Sequence, residues 1–204
     1  MIRLLAVLGF LAGPAFAQGA VLPDSAAILA MPNVDLSDPP PQTVRDAILA
    51  SQDINFLSNP PSSSTMAQQI VRTYLNRAGD PVPAQVNDLR FVAPFALDLS
   101  HTDIITIYSQ SVDLGAGCYG FGSALFHRMG IDLNDATLKH AATMAALINT
   151  PEGFWQNPED VIPRYDRVAM TGENAGLWDK DTASLLIADG PAMILANSTC
   201  PPDS

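Results

Sequence analysis

The spacing of hydrophobic residues predicts helices along most of this chain. From Thr43 onward apolar positions recur with a period of about 3.6 residues, and no stretch longer than a few residues alternates as a strand does. The predicted apolar faces are Val44, Ala47, Ile48 and Phe56; Ile70, Val71, Tyr74 and Leu75; Val86, Leu89, Val92 and Ala96; Ile104, Ile105 and Tyr108; and Leu138, Ala141, Ala142, Ala145 and Ile148. We therefore predict an all-α chain without internal repeats.

Capping residues and breakers predict where these helices begin and end. Thr65 with Gln68 and Ser100 with Asp103 have the spacing of capping boxes. Breaking residues predict a break at Asn59 to Ser63, a helix end at Gly79-Asp80-Pro81, a kink at Pro94 and a tight glycine loop over 115–122. A helix over 123–129 is predicted to end at Gly130, and further helices to start at Asn134 or Asp135 and at Asn157-Pro158-Glu159-Asp160. A last helix is predicted over 181–195, interrupted at Gly190-Pro191.

The N-terminal residues have the pattern of a secretory signal. Met1-Ile2-Arg3 precedes an apolar run to about Pro14 and an Ala15-Phe16-Ala17 site, which predicts cleavage after Ala17. An uncleaved anchor is the alternative, although the run is shorter than the roughly 20 residues of a spanning helix. Residues 18–42 are rich in proline and form an extended lead-in. No later segment is apolar enough to cross a membrane, so we expect an exported protein of the periplasm or cell envelope with no transmembrane helix in its mature chain.

Charge and cysteine content narrow the possible partners. The net charge of −11, with ten Lys and Arg, argues against binding nucleic acid. Export would place Cys118 and Cys200 in an oxidising compartment, where they either form a disulfide or remain two free thiols. No metal-ligand spacing is present, and nothing in the sequence indicates a cofactor.

The stretch Ala47-Ile48-Leu49-Ala50-Ser51-Gln52-Asp53-Ile54-Asn55-Phe56 resembles the A-F-I-A-x-E-D-x-x-F signature of peptidoglycan glycosyltransferases. These form glycosyltransferase family 51, the polymerase module of class A penicillin-binding proteins. Gln52 stands where the family keeps its catalytic glutamate. A glutamine cannot exchange a proton near neutral pH, so the resemblance also suggests a degenerate member.

Three further segments carry the same resemblance in chain order. Residues 62–72 are similar to G-G-S-T-I-T-Q-Q-L-V-K, and residues 103–120 to E-I-L-E-L-Y-L-N…G-x-G-A-Y-G. Residues 138–158 are similar to the family's Ala-rich helix and N-P motif, with Arg167 and Met170 matching its closing segment. The resemblance implies a lysozyme-like fold over residues 43–172, followed by a C-terminal helix and tail over 173–204.

Two departures from the family pattern bear on activity. The insertion that forms the membrane-facing jaw is missing, because Ser62 follows soon after Phe56. The basic motif with a second glutamate is also missing, and an ungapped count places Asp88 at that glutamate, with Ala84 and Gln85 at its cations. The resemblance implies that Ser64, Thr65, Gln68, Gln69 and Arg72 line the substrate groove, while helix capping and polar packing explain the same residues without a ligand.

These residues support two hypotheses. In the first, the protein is a catalytically silent module that keeps the scaffold and binds peptidoglycan glycan strands, their lipid-linked precursor or a cell-wall protein. In the second, it polymerises lipid-linked disaccharide with Asp53 or Asp88 as the base. We expect Asp53 to point away from residue 52, since one helical step rotates a side chain by about 100°. We also expect that Gln52→Glu alone restores nothing, because jaw and cations are absent.

Overall fold

The computed structural model describes residues 23–79, 95–148, 158–195 and 198–201. Within these ranges the regular structure is helical, apart from an isolated antiparallel bridge between Asp113 and Tyr119, so the all-α prediction is confirmed. The α-helices are α1 (Ser25–Leu29), α2 (Gln42–Gln52), α3 (Thr65–Ala78), α4 (His101–Ser111), α5 (Phe121–Met129), α6 (Leu138–Leu147), α7 (Ile162–Asn174) and α8 (Lys180–Asp189). Short 3-10 turns cover Phe56–Ser58, Pro61–Ser63, Leu133–Asp135 and Pro158–Val161.

Helix α2 lies at the centre of the fold. It packs against α4, α6 and α7, while α3 packs against α4 and α8 packs against α7. Val44, Ala47 and Ile48, predicted to face the core, are fully buried. Burial of a large aliphatic side chain stabilises the fold by about 1.5–3 kcal/mol, so this face fixes the position of the helix. The C-terminal end of α2 is thereby held between α6 and α7.

The connection between α2 and α3, residues 53–64, runs directly from one helix to the next. Phe56 continues the buried face of α2, but it belongs to a separate 3-10 turn. The rings of His101 and Phe56 form a T-shaped pair with 4.9 Å between their centroids. The His101 Nε2 lies 2.7 Å from the Asn59 carbonyl oxygen. These contacts attach the connection to the first turn of α4.

Two of the predicted helix starts differ from the structure, and one is confirmed. The capping box of Ser100 and Asp103 at the start of α4 is present. Thr65 does not cap α3; the Ser64 hydroxyl accepts the Ala67 amide proton at 3.1 Å, one residue earlier than predicted. The prediction that Asn134 or Asp135 starts the next helix is also wrong, because both lie in a 3-10 turn and Thr137 caps α6 with His140.

The predicted glycine stops are confirmed, whereas a third predicted helix start and the predicted end of the last helix differ from the structure. Gly79 and Gly130 end α3 and α5 in the left-handed region, which glycine adopts without strain. Pro158 to Val161 form a 3-10 turn rather than the first turn of α7, which begins at Ile162. The final helix ends at Asp189, and residues 191–195 do not continue it as predicted. The expectation of an extended lead-in over residues 18–42 is also wrong, because helix α1 lies within it.

The C-terminal strap (residues 191–195 and 198–201) is fastened to the glycine loop (residues 112–120). Cys118 and Cys200 form a disulfide, and the Cys200 amide donates to the Ala116 carbonyl at 3.3 Å. The buried Arg128 side chain donates to the Ser198 carbonyl. Covalent and polar contacts together hold the strap against α5.

Gly172 allows the indole of Trp178 to lie directly against α7. A Cβ at position 172 would overlap three ring carbons of Trp178, whose Nε1 donates to the Ala169 carbonyl at 2.9 Å. Any larger residue at position 172 would therefore have to displace the half-buried indole of Trp178. This contact fixes the turn between α7 and α8.

Gly172→Ala is expected to lower the free energy of unfolding by about 2 kcal/mol. Overpacking costs roughly 1–3 kcal/mol, and the better helix propensity of alanine offsets only part of that. Urea denaturation measures the change. Gly122→Ala is the matched control, since its Cβ would lie 4.0 Å from the nearest Leu133 atoms. Equal effects at the two positions would contradict the close contact.

Several predictions fall on residues outside the described ranges. These are the signal sequence over 1–17, most of the helix over 84–99 with its kink at Pro94, and Asp88 with Ala84 and Gln85. Among the described helices, none combines the length and hydrophobicity needed to cross a membrane.

Candidate functional site

A cleft of about 390 Å³ opens beside the C-terminal end of α2. Helix α6 supplies small side chains to it, and α7 forms the opposite wall. The lining residues are Ala50, Ser51, Gln52, Asp53, Ile54, Ala145, Ala146, Arg164, Arg167, Val168 and Thr171. The cleft thus combines an amide, a carboxylate, two hydroxyls and two guanidinium groups on a base of alanines.

Three side chains from three helices form a hydrogen-bonded chain that reaches this cleft. The Tyr108 hydroxyl of α4 donates to Gln69 Oε1 of α3, and Gln69 Nε2 donates to Gln52 Oε1 at 2.7 Å. Gln52 Nε2 in turn donates to Ser51 Oγ at 3.0 Å. The oxygen and the nitrogen of the Gln52 amide are therefore both hydrogen-bonded, and these two bonds fix the orientation of the side chain.

Burial of Tyr108 fixes the direction of this chain. The ring is fully buried, and desolvation raises the pKa of Tyr108 well above its usual value of 10. The neutral hydroxyl donates to Gln69 Oε1, which leaves the Gln69 amide nitrogen to donate toward residue 52. Position 52 must therefore offer an acceptor, a requirement that a glutamine oxygen and a carboxylate oxygen both meet.

Asp53 lies beside Gln52 in the same cleft. Helix α2 ends at Gln52, and Asp53 has extended backbone angles of φ −162° and ψ 95°. The prediction for Asp53 assumed that the helix continues through this residue, which it does not, although Asp53 was also expected to make a structural hydrogen bond. Its Oδ1 accepts the Asn55 amide proton at 3.0 Å, which is a structural hydrogen bond within the connection.

Two arginines on successive turns of α7 face the end of α2. Arg164 donates through Nη2 to the Ile148 carbonyl at 2.7 Å, and Arg167 is exposed to solvent. Burial, with a contribution from Arg167, lowers the pKa of Arg164 below its ordinary value. The cations of the family's basic motif were expected to be missing, and these two arginines supply positive charge to the cleft from a different helix. Sequence reasoning treated Arg167 only as a motif match and missed Arg164 altogether.

The residues predicted to line the substrate groove have different positions. Gln69 contacts Gln52, whereas the buried Ser64 hydroxyl caps α3. Thr65 and Arg72 are exposed on α3, and Gln68 is half-buried. None of these five residues belongs to the cleft lining, although Gln69 is hydrogen-bonded to Gln52, which does.

No cluster of potential metal ligands is found in the described parts of the chain. Within residues 23–79, 95–148, 158–195 and 198–201, no three His, Cys, Asp or Glu side chains lie where they could hold an ion together.

Comparisons with known proteins show a family match and similarity to penicillin-binding proteins. A family model described as "Transglycosylase" matches residues 61–172, so residue 52 lies before the matched range. The chain is 24% identical over 161 residues to penicillin-binding protein 2a of Streptococcus pneumoniae, covering 69% of this chain and 22% of that protein. It is 23% identical over 135 residues to penicillin-binding protein 1A of Neisseria flavescens, covering 56% and 17%. The chain thus spans about a fifth of the length of these relatives.

Proposed function

Because the chain belongs to the transglycosylase family, we propose that it is an exported, catalytically silent member that binds cell-wall glycan or its lipid-linked precursor. The family match covers residues 61–172, and the proposal adds to it the loss of turnover, the retained binding and the export. A cell-wall protein that uses the same surface is a variant of this proposal. Each part rests on different residues.

The neutral side chain at position 52 carries the proposal that turnover is lost. The resemblance places the catalytic glutamate there, and general-base catalysis contributes about 10²–10⁴-fold to a rate. Gln52 cannot accept a proton near neutral pH, and both ends of its amide are hydrogen-bonded. The hydrogen-bonded chain from Tyr108 keeps the shape of the site without its proton-accepting group.

The two arginines of α7 support retained binding of an anionic ligand. Guanidinium groups form paired hydrogen bonds with phosphate and carboxylate oxygens, and Arg164 and Arg167 line one wall of the cleft. The Thr171 hydroxyl lies on the same wall. A diphosphate or a carboxylate-bearing glycan would meet both positive charge and hydrogen-bond donors there, in a chain whose net charge is −11.

Export is supported by the signal-like N-terminus and by the disulfide. Residues 1–17 have the composition of a cleaved secretory signal, and Cys118 pairs with Cys200. Disulfides persist in oxidising compartments such as the periplasm. The N-terminal sequence of the protein purified from the cell envelope would test this part, since cleavage after Ala17 leaves Gln18 at the terminus.

Arg167→Gln is expected to weaken binding of lipid-linked disaccharide by about ten-fold. A hydrogen bond to a charged group is worth roughly 1.5–3 kcal/mol, and exposed Arg167 can be changed without disturbing the core. Calorimetric titration of the purified protein measures the affinity. Lys180→Gln removes the same charge from an exposed site outside the cleft and is the control. Equal weakening in both variants would indicate general electrostatics instead of a site at Arg167.

Active polymerisation with Asp53 as the base is the second candidate, because Asp53 lines the same cleft. This hypothesis expects the wild type to polymerise lipid-linked disaccharide and Asp53→Asn to stop it. The silent hypothesis expects no polymer from the wild type and none from Gln52→Glu, since the connection over residues 53–64 is too short to contain the family's jaw. Polymer from the wild type would refute the silent hypothesis. Polymer from Gln52→Glu alone would show that the jaw is dispensable.

A further inference from the structure

A second pocket, of about 620 Å³, lies between α1, the C-terminal half of α3 and the glycine loop. Arg77, in its lining, lies about two turns along α3 from Gln69, roughly 12 Å at 1.5 Å per residue. The lining residues are Ala27, Ala30, Met31, Pro32, Tyr74, Asn76, Arg77, Ala78 and Tyr119. None of these residues belongs to the cleft at Gln52.

Arg77 is the single charged side chain among the described residues of this lining. Its guanidinium carbon lies 4.6 Å from the centre of the Tyr119 ring, in a cation–π contact. Its Nη1 is buried and has no hydrogen-bond partner among the described residues. None of the described residues that line this pocket carries a negative charge, so an anionic group bound in the pocket would supply the counter-charge that the Arg77 guanidinium lacks there.

The surroundings of Arg77 restrict the class of acceptor. One guanidinium balances one negative charge, and its planar pair of donors matches a carboxylate. Burial and the nearby Asp113 raise the pKa of Tyr119, against the opposing effect of Arg77, so its hydroxyl stays neutral. The other walls are aromatic or apolar through Tyr74, Met31 and the alanines. They suit a compact body with apolar faces, such as a sugar ring or a short alkyl chain.

We propose that this pocket binds a small ligand carrying one carboxylate on a sugar or short acyl-peptide body, with the carboxylate on Arg77 and the body between Tyr74 and Tyr119. The choice of cell-wall compounds as probes rests on the proposed function. The pocket itself is separate from the cleft at Gln52, so each site can fail its own test. Arg77 and Tyr119 supply the charge and the stacking surface, and Asn76 supplies an amide at the rim.

The test compares three probes by titration and by amide chemical shifts of isotopically labelled protein. N-acetylmuramic acid has a carboxylate on a sugar, N-acetyl-D-alanyl-D-alanine has one on a peptide, and N-acetylglucosamine lacks it. We expect one of the first two to bind with a dissociation constant on the order of 1 mM, and N-acetylglucosamine to bind about ten-fold more weakly. The carboxylate probe that binds identifies the source. Shifts should centre on residues 74–78 and 119.

Arg77→Met keeps most of the aliphatic stem and removes the donors, so affinity for the carboxylate probe should fall about ten-fold. Arg45→Met is the matched control, because Arg45 is also half-buried with a nitrogen lacking a partner, but it lies outside the pocket lining. Equal affinities for the probes with and without a carboxylate, unchanged affinity in Arg77→Met, or no binding of either carboxylate probe would overturn the proposal. If Arg77→Met does not fold, the wild type alone can decide. Amide chemical-shift changes centred on residues 51–54 upon addition of the carboxylate probe would overturn the proposal for the Arg77 pocket, while agreeing with the proposed function.

Discussion

Gly120→Ala is expected to lower the free energy of unfolding by about 4 kcal/mol. Gly120 has φ 81° and ψ 154°, a region open to glycine almost alone, and forcing another residue into it costs about 1–3 kcal/mol. A Cβ there would also lie 2.5 Å from the Gln110 carbonyl oxygen and 2.7 Å from its carbon. Backbone atoms cannot turn away as a side chain can, so overpacking adds roughly another 1–3 kcal/mol. Urea unfolding measures the loss.

Gly79→Ala separates the two causes at Gly120. Gly79 also has a positive φ, 74°, but no atom of the described residues lies within 4 Å of the Cβ that alanine would add. Its replacement should therefore cost only the backbone term, about 1 kcal/mol. If both variants lose the same amount, the close approach to Gln110 has no energetic effect.

Removal of the disulfide by Cys118→Ala with Cys200→Ala is expected to cost about 4 kcal/mol. The bond joins residues 82 positions apart, and a cross-link closing so long a loop removes much of the entropy of the unfolded chain. The strap would then be held by polar contacts such as that between Arg128 and the Ser198 carbonyl. The shift in the midpoint of urea unfolding checks the value.

Reduction provides an independent control on the disulfide. Dithiothreitol should move the unfolding midpoint of the wild type to that of the double variant and should leave the double variant unchanged. A wild type that is insensitive to reductant would contradict the assigned role of the bond.

Local signals in the sequence predicted the helices well, because capping and termination involve only neighbouring residues. The capping box of Ser100 and Asp103 and the stop at Gly79 were correct for this reason. Thr65 was wrong by one position because Ser64, next to it, offers the same hydroxyl chemistry. Choosing between two adjacent hydroxyls requires knowing which of them is buried.

The candidate site was less predictable, because it depends on which helices meet. Gln52 was identified from the family motif, and its contact with Gln69 brings together two of the segments that carry the resemblance. Arg164 had no motif to mark it, and only the packing of α7 against α2 shows that it shares the cleft. The helical argument used for Asp53 does not apply, because the sequence does not show that α2 ends at Gln52.

The pairing of Gln69 with Gln52 has a consequence for restoring the glutamate. The Gln69 amide nitrogen donates to residue 52 whether it meets an amide or a carboxylate oxygen. Gln52→Glu should therefore fold normally, so any lack of polymer in that variant would reflect chemistry or missing elements and not a collapsed site. Loss of the fold would instead show that the Ser51 contact is needed.

The indole that rests on Gly172 also offers an optical reporter of the cleft wall. The chain has two tryptophans, so Trp155→Phe would leave Trp178 as the sole indole emitter. Gly172 directly follows Thr171, and its helix carries both arginines, so a small movement of α7 would alter the environment of the ring. Its emission maximum and its quenching by acrylamide would then give a label-free titration of any ligand that enters beside Gln52.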